Sequence, residues 1–223
     1  MAKITVNYIN HMGDDNSVVN AARVSFDKSA DNYTTEQNEK LIRYLARHKH
    51  MSSFGHAFAS FKVKAPIFVA RQLVKHKFLR INEISRRYVD DTPEFYFPSS
   101  EEVGKSGWRA KSEDKKQGSV SPDEDPLGWL GVTVGTHAFC MEALERYKWM
   151  LEIGICPEQA RMVLPQNTMT EWYWSGSLDA FADMAKLRLK SDTQEETRVV
   201  AQGISDKMQE LFPVSWKELV QHE

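Results

Sequence analysis

The residues of this chain best suited to chemistry lie between Arg71 and Arg87. That stretch holds Arg71, Lys75, Lys77, Arg80, Arg86 and Arg87 against a single acid, Glu83, with Gln72, His76, Asn82 and Ser85 interleaved. Gln72, Lys75 and His76 share one face of the helix expected there, by their three- and four-residue spacing. Dipole complementation at a helix end and a solvated loop account for much of this charge. Ser85 and Arg87 alternate in an expected strand and so point the same way. A hydroxyl beside a guanidinium suits a phosphate dianion, because both donate charge-assisted hydrogen bonds. Other candidates are poorer. Cys140 falls on an apolar helical stripe, where a thiol acts as a small hydrophobe. Cys156 precedes a proline and has no cation in the same turn to lower its pKa, although Arg161 is near in sequence. His48, His50 and His56 are close together, but two of them fall in an expected last helical turn, where imidazole favours the dipole. No metal site is expected. No phosphate loop of the GxGxxG or GxxxxGK[ST] type is present, and neither GxSxG nor HExxH occurs.

The elements that must position these groups are legible in part. ITVNYI reads as a first strand and SVVNAARVSF as a short helix. Thr34 and Gln37 form a capping box ahead of EQNEKLIRYLARHKH, with Leu41 and Leu45 on one face. From Phe58 to Ala65 the pattern has a period of two, with Ala59, Phe61, Val63 and Ala65 inward. Pro66 suits the first position of a helix IFVARQLVKHK. Residues 81 to 97 are expected to be extended through EISRRY and EFYF. Residues from about 100 to 130 are a polar loop or insertion and not a linker between domains. A long helix VTVGTHAFCMEALERYKWMLEIG follows, with Cys140, Leu144, Tyr147 and Leu151 at helical spacing. Pro157 starts PEQARMVL, NTMTEWYW is a strand, and SLDAFADMAKLRL is a helix. Residues 194 to 212 form the last helix, with Ser191 and Gln194 as a second capping box and Val200, Ile204, Met208 and Leu211 on its apolar face. The expected fold is α+β, one domain over residues 1–223, a mostly antiparallel sheet with packed helices.

Composition bounds the class. Among 223 residues, 41% are hydrophobic and 27% charged, and the formal net charge is -2. Such a balance carries no global attraction to nucleic acid or to an anionic membrane. Two cysteines exclude a disulfide scaffold and a four-cysteine zinc site. No run approaches the ~18 apolar residues of a membrane span, and a cytoplasmic protein is expected.

The run Gln72-Leu-Val-Lys-His-Lys-Phe-Leu-Arg-Ile-Asn-Glu-Ile-Ser-Arg-Arg-Tyr88 resembles the defining motif of the flavin-dependent thymidylate synthases. That motif reads Arg-His-Arg, two residues, Ser, one residue, Asn-Glu, one residue, Ser, one residue, Arg-Tyr. Lys75-His76-Lys77 occupies the first triplet, and Asn82, Glu83, Ser85, Arg87 and Tyr88 match. AARVSF (21–26), FKVKAPIFVARQ (61–72), PEFYFPS (93–99), ARMVLP (160–165) and LRLKSDTQEE (187–196) are similar to family segments in family order.

The resemblance implies reductive methylation of dUMP to dTMP. Methylenetetrahydrofolate would give the carbon, and FAD reduced by NADPH the hydride, with no cysteine nucleophile. It also implies a homotetramer with shared active sites, and small-molecule partners only. By matching position, Gln72, Lys75, Glu83, Ile84, Ser85, Arg86, Arg87, Arg161 and Arg188 would hold dUMP, with Ser85 and Arg87 at its phosphate. Arg188 would be catalytic, facing the uracil and favouring its N3-ionised form. His50, Ser52, Lys75, His76, Lys77, Asn82 and Glu83 would contact FAD. The chain departs from the family at Lys75 and Lys77, which keep charge but lose the planar fork of arginine. It departs also at Arg80 for a serine, Gly55 for a glutamate, Asp192 for a histidine in some members, and Arg86 for a small residue. These departures leave open a relative that binds nucleotide without turnover. The cationic run also leaves open a nucleic-acid-binding module, with Phe78 and Tyr88 as its stacking residues.

Overall fold

The computed structural model describes residues 2–88, 91–99, 107–113, 118–122 and 128–220. In chain order the strands are β1 (Thr5–Met12), β2 (Phe58–Pro66), β3 (Arg80–Glu83), β4 (Ala110–Lys111), β5 (Ser119–Val120) and β6 (Met169–Ser177). The helices are α1 (Asp15–Arg23), α2 (Thr35–Arg47), α3 (Ile67–Leu73), α4 (Trp129–Glu152), α5 (Pro157–Ala160), α6 (Leu178–Arg188), α7 (Glu195–Leu211) and α8 (Pro213–Val220). The fold class is α+β, with an antiparallel sheet in the order β1-β2-β6-β3. No helix among the described residues is long and apolar enough to cross a membrane.

Packing divides the chain into two units that alternate along the sequence. The first takes Met1–Ile4, Lys64–Gln72 and Glu83–Glu171, and the second Thr5–Val63, Leu73–Asn82 and Trp172–Glu223. The greater part of the sheet belongs to the second unit. Its core follows from the two-residue period of β2 and β6: Ala59, Phe61, Val63, Trp172 and Trp174 are all buried, and α6 adds Phe181. Phe61 and Trp174 both meet Phe181 edge-on, at 5.4 and 5.6 Å between ring centroids. Such pairs add roughly 0.5–1.5 kcal/mol beyond area burial. Thr34 and Gln37 form the expected capping box of α2. Asp15 accepts from the backbone N–H groups of Val214 and Ser215, at 2.8 and 2.9 Å. It thereby satisfies donors that the start of α8 leaves unpaired.

In the first unit, α4 turns Cys140, Ala143 and Tyr147 inward. Phe95, Phe97 and Cys140 form a buried cluster flanked by Met141, Leu144 and Leu164. The Asn167 side chain donates to the Tyr96 carbonyl at 2.8 Å and so fastens the segment before α4 to the one after it. Within the expected polar insertion, β4 and β5 pair antiparallel, Ala110 opposite Val120. The rest of that insertion lies largely outside the described residues.

Several expectations are corrected. The helix expected to run through Lys77 stops at Leu73. The His76 N–H bonds the Leu73 carbonyl at 3.1 Å, and Phe78 takes a left-handed φ of 66°, so Gln72, Lys75 and His76 do not share a helical face. Pro66 ends β2 instead of opening α3; the first N–H groups of α3, on Ile67 and Phe68, bond the carbonyls of Thr168 and Gln166. The extended run through Arg87 is a strand only to Glu83, since Tyr88 N–H closes a turn onto the Ser85 carbonyl at 3.0 Å. Gln194 is itself the N-cap residue of α7 and makes no side-chain cap bond, and α8 follows the helix expected to be last.

Candidate active site

In the second unit, α6 delivers Arg188 at its C-terminal end and the turn after α3 delivers His76. Arg188 Nε donates to His76 Nε2 at 2.9 Å. A ring nitrogen that accepts from a guanidinium carries no proton, so His76 is the neutral Nδ1–H tautomer. Burial first, and the Arg188 charge second, lower its pKa from 6.5 to about 4. Burial also lowers the pKa of Arg188. The two groups therefore form one polar unit with a single positive charge.

Around them Lys75, Lys77, Arg80 and Asn82 are exposed, and no carboxylate among the described residues pairs with the three cations. Cations without a carboxylate partner among the described residues, two on the turn after α3 and one at the start of β3, are suited to an anionic ligand. His50 and Ser52 are exposed at the start of the short 3-10 helix Met51–His56. His48 is the C-cap of α2, one residue beyond the helix, with its ring 4.3 Å from that of Tyr44 and 6.3 Å from that of His50. His48 and His50 thus both lie against the Tyr44 ring, the first tilted and the second edge-on. No group of three metal-ligating side chains occurs among the described residues.

The first unit carries the other candidates. Glu83 accepts from the Thr170 hydroxyl at 2.7 Å, and the Ile84 N–H bonds the Glu171 carbonyl at 2.8 Å. These contacts fix the chain entering the turn of Ser85, Arg86 and Arg87. The Ser85 hydroxyl accepts from the Arg87 N–H at 3.3 Å, so hydroxyl and residue 87 are adjacent through a turn and not through strand alternation. Arg86 pairs with the Asp91 carboxylate and donates to the Asp91 carbonyl at 2.8 Å. Arg87 Nε donates to the Glu158 carboxylate at 3.0 Å, and Arg161 Nε to the Glu158 carbonyl at 3.3 Å. Residue 158 thus gathers two guanidiniums of the expected nucleotide site. Gln72 lies in α3, half-buried.

Cys140 is buried against Asn167, and Cys156 is exposed as the N-cap residue of α5. Three participants were not anticipated from sequence: Glu158, Thr170 and Asp91. Glu158 and Arg87 lie 71 residues apart and carry no motif that links them. Only the PEQA helix start, which places an acid in a first turn, hints at the position.

The chain is similar to proteins of one family. The family model described as thymidylate synthase complementing protein matches residues 7–214. A flavin-dependent thymidylate synthase of Thermus thermophilus is 38% identical over 219 residues, 97% of this chain and 76% of the relative. One from Kosmotoga olearia is 38% identical over 208 residues, 92% of this chain and 85% of the relative. Among solved structures, the UMP/dUMP methylase PolB from Streptomyces cacaoi bound with 5-Br dUMP superposes with a TM-score of 0.85 at 30% identity. That likeness covers 99% of this chain and 96% of PolB. From the family model over residues 7–214 and relatives 38% identical over most of its length, the chain belongs to the flavin-dependent thymidylate synthase family of enzymes.

Proposed function

We propose that this chain methylates dUMP reductively to dTMP, with methylenetetrahydrofolate as carbon donor and NADPH as reductant, without a cysteine nucleophile. The observation that carries the reading is the Arg188–His76 contact, which holds the uracil-facing arginine of the family in one orientation. A guanidinium so held can stabilise the N3-ionised pyrimidine, and thereby a more nucleophilic C5, because it remains charged and donates in a plane. Glu83, Ser85, Arg87, Arg161 and Gln72 bind the nucleotide in this scheme, with Ser85 and Arg87 at the phosphate and Ile84 and Arg86 beside them. The exposed Lys75, Lys77 and Arg80, which have no carboxylate partner among the described residues, fit the diphosphate of FAD in charge, with His50, Ser52, His76, Asn82 and Glu83 as its further contacts. Bound there, the flavin would supply the hydride. The remaining assignments are a homotetramer with shared active sites, small-molecule ligands without nucleic acid, a single domain over 1–223, and the cytoplasm as compartment.

The test is product formation. Purified protein with FAD, NADPH, methylenetetrahydrofolate and dUMP yields dTMP, resolved by chromatography, and NADPH oxidation depends on dUMP. No dTMP under these conditions overturns the reading. Nucleotide binding with neither flavin uptake nor product would instead mark a relative without turnover.

A further inference from the structure

Helix α4 presents a second row of side chains, distinct from its buried stripe. Val132, Gly135, Phe139, Glu142, Arg146, Trp149 and the C-cap Ile153 are all exposed. Steps of three and four alternate along the whole row, which is the spacing of a helix–helix seam. Phe139 is 57% exposed, Trp149 48% and Ile153 56%. Large apolar groups so placed cost free energy in water. A Cβ added at Gly135 would meet nothing within 4 Å, so a knob can enter there.

The geometry points to a second copy of this chain on this row, its α4 packed antiparallel about a two-fold axis beside residue 144. Under that operation positions equally distant from 144 face each other. Glu142 then meets Arg146 of the second copy, Phe139 meets Trp149, and Gly135 meets Ile153. Acid faces base, ring faces ring, and the smallest residue faces a branched one. An isologous two-fold contact requires this self-complementarity. A parallel pair would set Glu142 against Glu142 and Arg146 against Arg146, which charge repulsion disfavours. The row spans about 32 Å at the helical rise per residue. This inference goes beyond the proposed tetramer by naming a face, an orientation and a register, and it rests on α4 alone.

Sedimentation velocity on the full chain tests it with the variants E142R and R146E. Each alone places like charges across the seam and weakens association about tenfold or more. An equimolar mixture of the two regains it, because each chain then opposes the other's charge. Inside each helix the mixture leaves positions 142 and 146 alike in sign, so recovery reports contact between chains. A monomeric wild type overturns the inference together with the tetramer. An assembled chain indifferent to both variants, or a mixture without recovery, overturns this face and register alone. If a charge variant loses its helical circular dichroism, Trp149→Ser takes its place: weaker association is expected, and unchanged association overturns the proposal.

Discussion

Arg188 and His76, 112 residues apart, share a hydrogen bond of 2.9 Å in which the guanidinium donates and the imidazole accepts. The family motif thus places a histidine where its proton is unwelcome. Burial, followed by the Arg188 charge, brings its pKa to about 4. Nitrogen-detected NMR should therefore find His76 neutral at pH 7, protonated on Nδ1, with a midpoint near 4. In Arg188→Ala the charge contribution is gone and the midpoint moves up toward 6.5. A wild-type midpoint near 6.5 would contradict the burial of the imidazole beside Arg188.

The same shift fixes a pH dependence of stability. Above pH 6.5 the imidazole is neutral in both folded and unfolded chains. Between 6.5 and about 4 the unfolded chain binds a proton that the folded chain does not, so stability falls as pH falls. Below about 4 both states are protonated and this contribution levels off. Urea midpoints measured from pH 7 to 4 should decline less steeply in His76→Gln than in wild type. Equal slopes would mean that His76 is not destabilised as a cation.

Arg188→Ala should lower the rate of dTMP formation by about 10²-fold or more, the usual effect of removing one donor aimed at developing charge. Arg188→Lys keeps a charge but no fork, and recovers only a small part of that loss. The separation of kcat from KM is informative. A group that stabilises the ionised pyrimidine acts mainly on kcat, whereas one that merely binds dUMP acts on KM. Unchanged kcat in Arg188→Ala would remove its catalytic role.

Much of the second unit was legible because strands with one buried face repeat every two residues. Phe58 to Ala65 and the Trp172–Trp174 segment show this directly, as does the Thr34–Gln37 cap. The end of α3 was not legible: RQLVKHKF contains no breaker, and the chain leaves the helix through a left-handed Phe78 that composition does not announce. The turn at Ser85 was hidden for a related reason. Its residues are adequate strand formers, and what stops β3 is the Tyr88 N–H closing onto the Ser85 carbonyl. Helix α8 was missed because Pro213 looks like a terminator, although proline also suits a first turn. The site residues themselves came from the motif, while their partners Glu158, Thr170 and Asp91 come from tertiary contact and leave no local trace.

Glu158 is the partner with the clearest consequence. Its carboxylate receives Arg87 Nε at 3.0 Å, so the arginine assigned to the nucleotide phosphate is occupied by an internal anion. Both side chains are about half exposed, and an ion pair of that kind is worth about 0.2–1 kcal/mol. A phosphate dianion competing for Arg87 must displace this pair or share it. Glu158→Gln keeps the size and a hydrogen-bonding oxygen while removing the charge. It should tighten dUMP binding by up to about fivefold, corresponding to loss of a competitor worth about 1 kcal/mol. Deoxyuridine, which lacks the phosphate, should bind the variant and the wild type alike. Isothermal titration of both ligands against both proteins separates the outcomes. Equal tightening for dUMP and deoxyuridine would place the effect away from the phosphate, and weaker dUMP binding in Glu158→Gln would show that Glu158 holds Arg87 in place for the phosphate instead of competing with it.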